Sequence, residues 1–293
     1  MVEIIDGTKV SGELKHSLKP RIQSLLEQNI RPGLGVILVG DNIESKTYVS
    51  MKHKNCLELG IMTEIHRFAK DINEKLVIET IQTMNQKASI HGIMVQLPLP
   101  EHLDKDRILN TIRDTKDVDG MTTINAGKLF QGEPVPFYSC TPKGCIELLD
   151  YYDIEISKKN VTIIGSSNLV GLPLSMMLLH RGATVTICNE NTRDIIEHIK
   201  DADILITCCG VPQLIKKEWI NDNTVIIDVG INKIKDDSKE KGYRLVGDVD
   251  YENVKGKASY ITPVPGGVGP MTIAVLMEQI VDACESFHKR SRI

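Results

Sequence analysis

The stretch Val161-Thr162-Ile163-Ile164-Gly165-Ser166-Ser167-Asn168-Leu169-Val170-Gly171 constrains the chain more than any other. Four β-favouring residues run into a glycine and a small polar loop. A second glycine then opens an apolar helical spacing at Leu172, Leu174, Met177 and Leu178. The pattern reads as strand, tight turn, helix. Such a turn leaves backbone N–H groups at a helix N-terminus without intrahelical partners, ready for an anion such as a dinucleotide's pyrophosphate. The spacing is Gly-x-x-x-x-x-Gly rather than Gly-x-Gly-x-x-Gly, so the loop alone also fits an ordinary βα connection.

Length and composition set the frame for that turn. At 293 residues the chain is expected to form about two domains. Only 4% of residues are aromatic against 41% hydrophobic, so the core must be mainly aliphatic. A net charge of -4 and a pI near 6.1 give no general attraction to nucleic acid or to an anionic membrane. The basic ending His288-Lys289-Arg290-Ser291-Arg292 reads as a solvated tail. Seven cysteines, odd in number and without a Cys-x-x-Cys pair, argue against a disulfide framework or a zinc site, and no metal is expected. The beginning lacks the basic-then-apolar order of a signal peptide, and no run approaches the ~18 apolar residues of a membrane span. A cytoplasmic setting is the expectation.

Read in order, Val2 to Ile5 suggests a short strand. A helix then covers Thr8 to Gln28, with Pro20 kinking it. Gly33 to Val39 is a buried strand by its continuous apolar run, and a helix over about Glu44 to Leu59 stops at Gly60. A strand near 62 to 67, a helix near 73 to 86 and a strand from Ile90 to Gln96 continue the alternation. Leu97-Pro98-Leu99-Pro100 ends that strand, and a short helix near Lys105 to Asn110 leads to the polar loop 116 to 120. Residues 1 to 140 thus read as one α/β unit with a parallel sheet. A helix capped by Thr141 with Pro142 in its first position bridges to a second unit. That unit, 141 to 269, places strands near 161–165, 183–188, 203–207 and 224–228, an order that suits a dinucleotide-binding fold. Further strands are expected near 244–246 and 259–262. The loop Pro263 to Pro270 precedes a last helix, about 270 to 293, which is expected to pack back on the first unit.

Tyr48 and Lys52 lie four apart on a helix and share a face. A ring beside an ammonium holds a flat substrate next to a proton-transfer group. Lysine serves as acid or base near neutral pH only where burial or a neighbouring cation favours the free amine, and a surface lysine is the plainer reading. Tyr-x-x-x-Lys also resembles the catalytic pair of short-chain dehydrogenases, but there the pair follows the glycine-rich loop, and here it precedes it. Gln96 ends an apolar strand and Asp119 sits in a glycine-terminated loop, both positions where α/β sheets present ligand-contacting groups. A strand-end hydrogen bond and an Asx turn explain them equally well.

Taken together, Tyr48-Val49-Ser50-Met51-Lys52, Val95-Gln96-Leu97-Pro98, Lys116-Asp117-Val118-Asp119-Gly120, Thr141-Pro142, Asp228-Val229-Gly230-Ile231 and Pro265-Gly266-Gly267-Val268-Gly269-Pro270-Met271-Thr272 resemble the bifunctional methylenetetrahydrofolate dehydrogenase/cyclohydrolase family. They occur in that family's order and span nearly the whole chain. The resemblance implies two α/β domains, usually in a homodimer, with tetrahydrofolate derivatives as substrates. It implies oxidation of 5,10-methylenetetrahydrofolate by hydride transfer to NAD or NADP, followed by hydrolysis of the methenyl cation to 10-formyltetrahydrofolate. Lys52 is then the general acid/base of the hydrolytic half, held by Gln96. Tyr48 packs on the aminobenzoyl portion and Asp119 accepts hydrogen bonds from the pterin. Leu97, Pro98, Pro265, Gly266 and Gly267 complete the implied substrate contacts. Gly165, Ser166, Ser167, Val170, Gly171, Glu190 and Ile231 are the implied dinucleotide contacts.

Two departures from the family's pattern concern the dinucleotide. Many members have Gly-Arg-Ser where this chain has Gly165-Ser166-Ser167, and that arginine is linked to the NADP 2'-phosphate. Asn189-Glu190 stands where members often have His-Ser or His-Arg. An acidic residue at the end of the next strand suits a free ribose 2'-hydroxyl and repels a 2'-phosphate, with Arg193 close enough in sequence to offset it. The expectation leans to NAD. A third departure, Ser139 where proline is common, concerns only the hinge. A shikimate-type two-domain dehydrogenase shares the broad architecture, and a catalytically inactive nucleotide- or folate-binding module is the non-enzymatic alternative.

Overall fold

The computed structural model describes residues 2–240 and 242–290, and the basic ending beyond Arg290 lies outside the described residues. The chain begins with β1 (Glu3–Ile4) and α1 (Gly7–Glu27), which runs on through Pro20. β2 (Gly33–Val39), α2 (Ile43–Leu59), β3 (Met62–Phe68), α3 (Glu74–Gln86), β4 (Gly92–Val95) and α4 (Lys105–Leu109) follow as expected. A helix not foreseen, α5 (Thr123–Gln131), is capped by the Thr122 hydroxyl and closed by Gly132 in the left-handed region.

Next come α6 (Cys140–Tyr151), β5 (Asn160–Ile164), α7 (Gly171–His180), β6 (Thr184–Cys188), α8 (Ile195–Lys200), β7 (Ile204–Thr207) and β8 (Val225–Asp228). An antiparallel ribbon of β9 (Asn232–Lys235) and β10 (Tyr243–Val246) pairs Asn232 with Val246. The sequence showed only its second strand. α9 (Tyr251–Val254), β11 (Tyr260–Ile261) and α10 (Val268–Arg290) complete the chain.

Two helix starts differ from expectation. α6 begins at Cys140, so Thr141 is not its cap, and the Thr141 hydroxyl bonds that of Thr272 at 2.9 Å. α10 begins at Val268 and takes Gly269 and Pro270 into its first turn. That turn tolerates proline because its N–H groups have no intrahelical partner.

The chain divides into two compact units. One comprises Gly12–Cys140 with the chain from Ile273 on, and the other comprises the stretch up to Ser11 with Thr141–Thr272. In the first, β3-β2-β4 form a parallel sheet. All seven residues of β2 are buried, as a strand covered on both faces requires. Its alternation divides the core: Leu34, Val36 and Leu38 join Leu18, Ile22, Val49, Cys56, Met277 and Ile280, whereas Ile37 and Val39 join Val77, Ile81, Met84 and Ile108. α1, α2 and α10 therefore cover one face, and α3 and α4 the other.

In the second unit six parallel strands run in the order β1-β11-β8-β7-β5-β6. From β5 the chain steps to β6 on one side and then to β7 on the other, so the order reverses at the carboxyl end of β5. Ligands of open α/β sheets bind at such a point. The first residues belong here rather than with 12–140. Glu3 N donates to Ser259 O at 2.8 Å, Ile5 N to Ile261 O at 2.9 Å and Thr8 N to Gly266 O at 3.0 Å. A two-residue strand carries too little pattern to announce so distant a partner.

Among the described residues no helix is long and apolar enough to cross a membrane. His288 is not part of a solvated tail: it lies on α10, with its Nε2 3.3 Å from that of His91.

Candidate functional site

The turn after β5 is built by backbone crowding. Gly165 has φ +123°, and a Cβ on it would meet the Cys208 carbonyl oxygen at 2.5 Å. Gly165 N donates to Cys188 O, and Cys208 N to Ile164 O, both at 2.8 Å, so the ends of β5, β6 and β7 are laced together. A Cβ on Gly171, the first residue of α7, would run into the Gly165 carbonyl, so only glycine lets the helix start that close to the turn. The pair leaves a cradle of backbone at a helix N-terminus, which fits a dinucleotide pyrophosphate. Ser167 Oγ accepts from Val170 N at 3.2 Å, and Asn189 Nδ2 reaches Ser166 Oγ at 3.5 Å. Glu190 is exposed just past β6. Ile231 is 48% exposed between β8 and β9.

Pro265, Gly266 and Gly267 lie in the same unit as this turn. The Gly266 carbonyl accepts from Thr8 N at 3.0 Å, and Gly267 packs where a Cβ would meet the Pro263 carbonyl at 2.6 Å. They fix the first turn of α1.

In the other unit α2 buries Ser45, Val49, Lys52, Cys56 and Leu59 at three- and four-residue intervals. This is a core face with one lysine in it, and Lys52 is only 9% exposed. Its Nζ donates to Gln96 Oε1 at 3.3 Å. Gln96 is set at the end of β4 by its own N–H on Ile37 O at 2.9 Å, and its amide donates to Leu97 O at 2.8 Å. Burial pushes the Cys56 thiol up to about 12, against the opposing charge of Lys52. Tyr48, one turn before Lys52, is 40% exposed and Pro98 is exposed. The structure thus joins Lys52, Gln96 and Leu97 directly, and Tyr48 through its helix.

Asp119 is half-buried and its carboxylate accepts no hydrogen bond among the described residues, which leaves it open to a ligand's donors. Its neighbour Asp117 does the structural work that an Asx turn would have given Asp119. Asp117 accepts from Met121 N (2.9 Å), Thr122 N (2.8 Å) and Asn125 Nδ2 (2.8 Å), and burial pushes it up to about 6 despite these donors. Gly120, φ +67°, could carry no side chain against the Tyr138–Ser139 backbone.

His91, Cys284 and His288 bring ligand-type atoms within 4.8 Å of one another. His91 Nδ1, however, accepts the Gly33 N–H at 3.1 Å, so the proton sits on Nε2, which points at His288. A metal-binding histidine has the opposite arrangement, donating from its far nitrogen. This is a hydrogen-bonded histidine pair.

Two buried carboxylates at the carboxyl edge of the six-stranded sheet had no sequence assignment. Asp228 accepts from Gly230 N, Asp248 N, Val249 N and the Thr207 hydroxyl, and burial pushes it up to about 6. Asp248 is fully buried. Asp228 had a signal, an acidic residue ending the apolar run Val225-Ile226-Ile227, whereas Asp248 follows Gly247 after a strand of mixed polarity and had none.

A glycine-lined turn at a sheet's switch point, together with a buried lysine held by a strand-end glutamine, defines an α/β enzyme built on a dinucleotide-binding sheet. A family model described as the catalytic domain of tetrahydrofolate dehydrogenase/cyclohydrolase matches residues 5–119, and one described as that family's NAD(P)-binding domain matches 139–288. The chain belongs to the tetrahydrofolate dehydrogenase/cyclohydrolase family, and its relatives at 43–47% identity are named as bifunctional enzymes with both activities. It is 47% identical over 291 residues to the bifunctional protein FolD of Nitratiruptor sp., covering 99% of this chain and 100% of that one. The structure of the bifunctional FolD from Campylobacter jejuni superimposes with a TM-score of 0.94 at 43% identity, covering 98% and 99% of the two chains. That of the Trypanosoma brucei enzyme complexed with NADP and an inhibitor gives 0.93 at 34% identity, covering 100% and 99%. Such identity along the whole chain removes the shikimate-type alternative.

Proposed function

We propose that this chain oxidises 5,10-methylenetetrahydrofolate with NAD(P) and hydrolyses the resulting methenyl cation to 10-formyltetrahydrofolate, with Lys52 as the proton-transfer group of the hydrolytic half. The observation that carries the assignment is the Lys52 Nζ–Gln96 Oε1 hydrogen bond on an otherwise apolar helix face. A buried lysine costs stability unless its donors are satisfied, so a lysine on this face with one side-chain acceptor points to chemistry.

A bound nicotinamide supplies the hydride acceptor for the oxidation. In the hydrolysis, water adds to the methenyl carbon, and Lys52 takes the proton that water loses. Returning a proton to N5 as the N5–carbon bond breaks leaves the formyl group on N10, with one proton released overall. Gln96 holds the amine in place through both transfers. Tyr48 offers an exposed ring for the aminobenzoyl portion, and the unpaired Asp119 carboxylate suits the pterin's N–H donors. Leu97 and Pro98 complete the folate contacts that this unit offers in this reading, and the two units serve as catalytic and dinucleotide-binding domains.

Gly165, Ser166, Ser167, Val170, Gly171 and Ile231 hold the dinucleotide, and Glu190 selects NAD. With no cation in the turn and a free carboxylate after β6, a 2'-phosphate would meet repulsion. The reading includes a homodimer, which sedimentation would reveal as a 65 kDa species, twice the 32.6 kDa chain mass. The deciding experiment follows methenyl and formyl products spectroscopically with NAD and with NADP. Formation of both products is expected, and absence of either with both dinucleotides refutes the reading.

A further inference from the structure

The carboxylate of Asp248 has no part in the reading above, yet it is fully buried at the sheet edge where the dinucleotide turn lies. Its Oδ2 accepts from Cys209 N at 2.8 Å, from Gly210 N at 3.1 Å and from the Cys209 thiol at 3.4 Å. Its Oδ1 accepts from Asn232 Nδ2 at 2.8 Å. Residues 208–210 follow β7, and residues 230–231 lead from β8 to Asn232, the first residue of β9. One acceptor-only group therefore ties together two of the loops at the carboxyl edge.

The packing makes the tie tight. Gly230 lies so close that a Cβ there would run into the Asp248 carboxylate. On the far side of the tethered loop, the Cys208 carbonyl is the group against which Gly165 packs, and Cys208 Sγ reaches Gly165 O at 3.6 Å. Asp248 itself is held by its backbone N–H on Asp228 Oδ1 at 3.0 Å. The path from Asp248 through Cys209 and Cys208 to Gly165 is continuous, and its other arm ends at Asn232, next to the exposed Ile231.

We propose that Asp248 is a positioning residue for the dinucleotide: it holds residues 208–210 against the Gly165 turn and ties them to residues 230–232 on the next strand's end, and so sets dinucleotide affinity without touching the reacting atoms. The inference rests on the family reading, which places the dinucleotide at this turn. Charge-assisted hydrogen bonds from two successive N–H groups are strong enough to hold a glycine-containing loop in one conformation.

The test separates this role from general support of the fold, because hydrolysis of methenyltetrahydrofolate consumes no dinucleotide. In Asp248→Ala, the KM and calorimetric Kd for NAD(P) are expected to rise about tenfold, with cyclohydrolase activity, assayed without dinucleotide, staying within about twofold. Asp248→Asn, whose amide oxygen keeps the Cys209 and Gly210 donors while Asn232 turns its own oxygen inward, should recover most of the affinity. Asn232→Ala, which frees one arm only, should raise Kd about threefold. An unchanged dinucleotide Kd in folded Asp248→Ala overturns the proposal, as does a parallel loss of cyclohydrolase activity. Should Asp248→Ala not fold, Asn232→Ala decides, an unchanged Kd counting against. The Kd does not depend on turnover, so a wild type lacking either activity is recognised separately.

Discussion

At the residue scale, the proposed hydrolytic chemistry rests on a lysine that the core face of α2 nearly encloses. Lys52→Met keeps the length and the apolar stem but removes the transferable proton. Cyclohydrolase activity is expected to fall at least about 100-fold, the usual size of general acid–base catalysis, with the far-ultraviolet circular dichroism unchanged. Undiminished hydrolysis would remove Lys52 from its role. At the dinucleotide turn, Glu190→Arg replaces a repulsive carboxylate with a fork that pairs with a 2'-phosphate. The ratio of kcat/KM for NADP over NAD should rise by about tenfold or more, and a wild type that already prefers NADP strongly would refute the reading of Glu190. Lys52 and Gln96 were legible only through the family motifs that contain them: taken alone, Lys52 reads as a surface lysine and Gln96 as a strand-end hydrogen bond, and the burial of Lys52 on α2 became visible only in the fold. Asp117 was not, because Asp117 and Asp119 are chemically alike and only burial tells them apart. The buried one anchors the loop, and the half-buried one keeps its acceptors open.

At the scale of elements, helix ends and close approaches carry the energetics. The start of α7 against the Gly165 carbonyl predicts that Gly171→Ala forces the turn apart. The expected result is a loss of about 1–3 kcal/mol of stability by urea unfolding and at least about tenfold weaker NAD(P) binding, and an unperturbed Kd would show that the cradle is not used. α1 and α10 are joined by Arg21, which bonds Asp282 at 2.6 Å and both oxygens of Glu285 at 3.0 Å. These carboxylates hold its guanidinium still further above its already high range. The group is a third exposed, so solvent screens it, and Arg21→Ala should cost no more than about 1 kcal/mol, less at high salt. Most elements were legible from period and punctuation. The β9–β10 ribbon was not, since Asn232–Lys235 alternates half-buried and exposed positions too briefly to stand out from a loop. Proline suggested later starts for α6 and α10 than the structure has, because it is tolerated anywhere in a first turn.

For the whole molecule, buried ionisable groups set how stability responds to pH. Burial, helped by His288 and Lys116, pushes His91 down to about 4, below the ordinary value near 6.5. Between those values the unfolded chain binds a proton that the native state refuses, so this residue's contribution rises with pH from about 4 to 6.5. Asp117 and Asp228, pushed up to about 6, act oppositely: the native state binds protons that the unfolded chain has released, and stability falls as pH rises from about 4 to 6. His91→Asn keeps an acceptor for the Gly33 N–H and removes the titration. Urea unfolding at pH 4.5, 5.5 and 6.5 should show the stability difference between wild type and variant growing with pH, approaching about 3 kcal/mol in total. A constant difference would mean that His91 titrates normally. The sequence by itself determined the α/β alternation, the glycine turn and the family, because periodicity, turn chemistry and short motifs are local and survive without coordinates. Only the tertiary structure decided that Glu3–Ile4 completes the sheet of 141–272, that Lys52 is buried with its amine 3.3 Å from the Gln96 amide oxygen, and that Asp248 ties two loops together. These are long-range pairings of common residue types, and burial and distance, which no local pattern encodes, are what give them their roles.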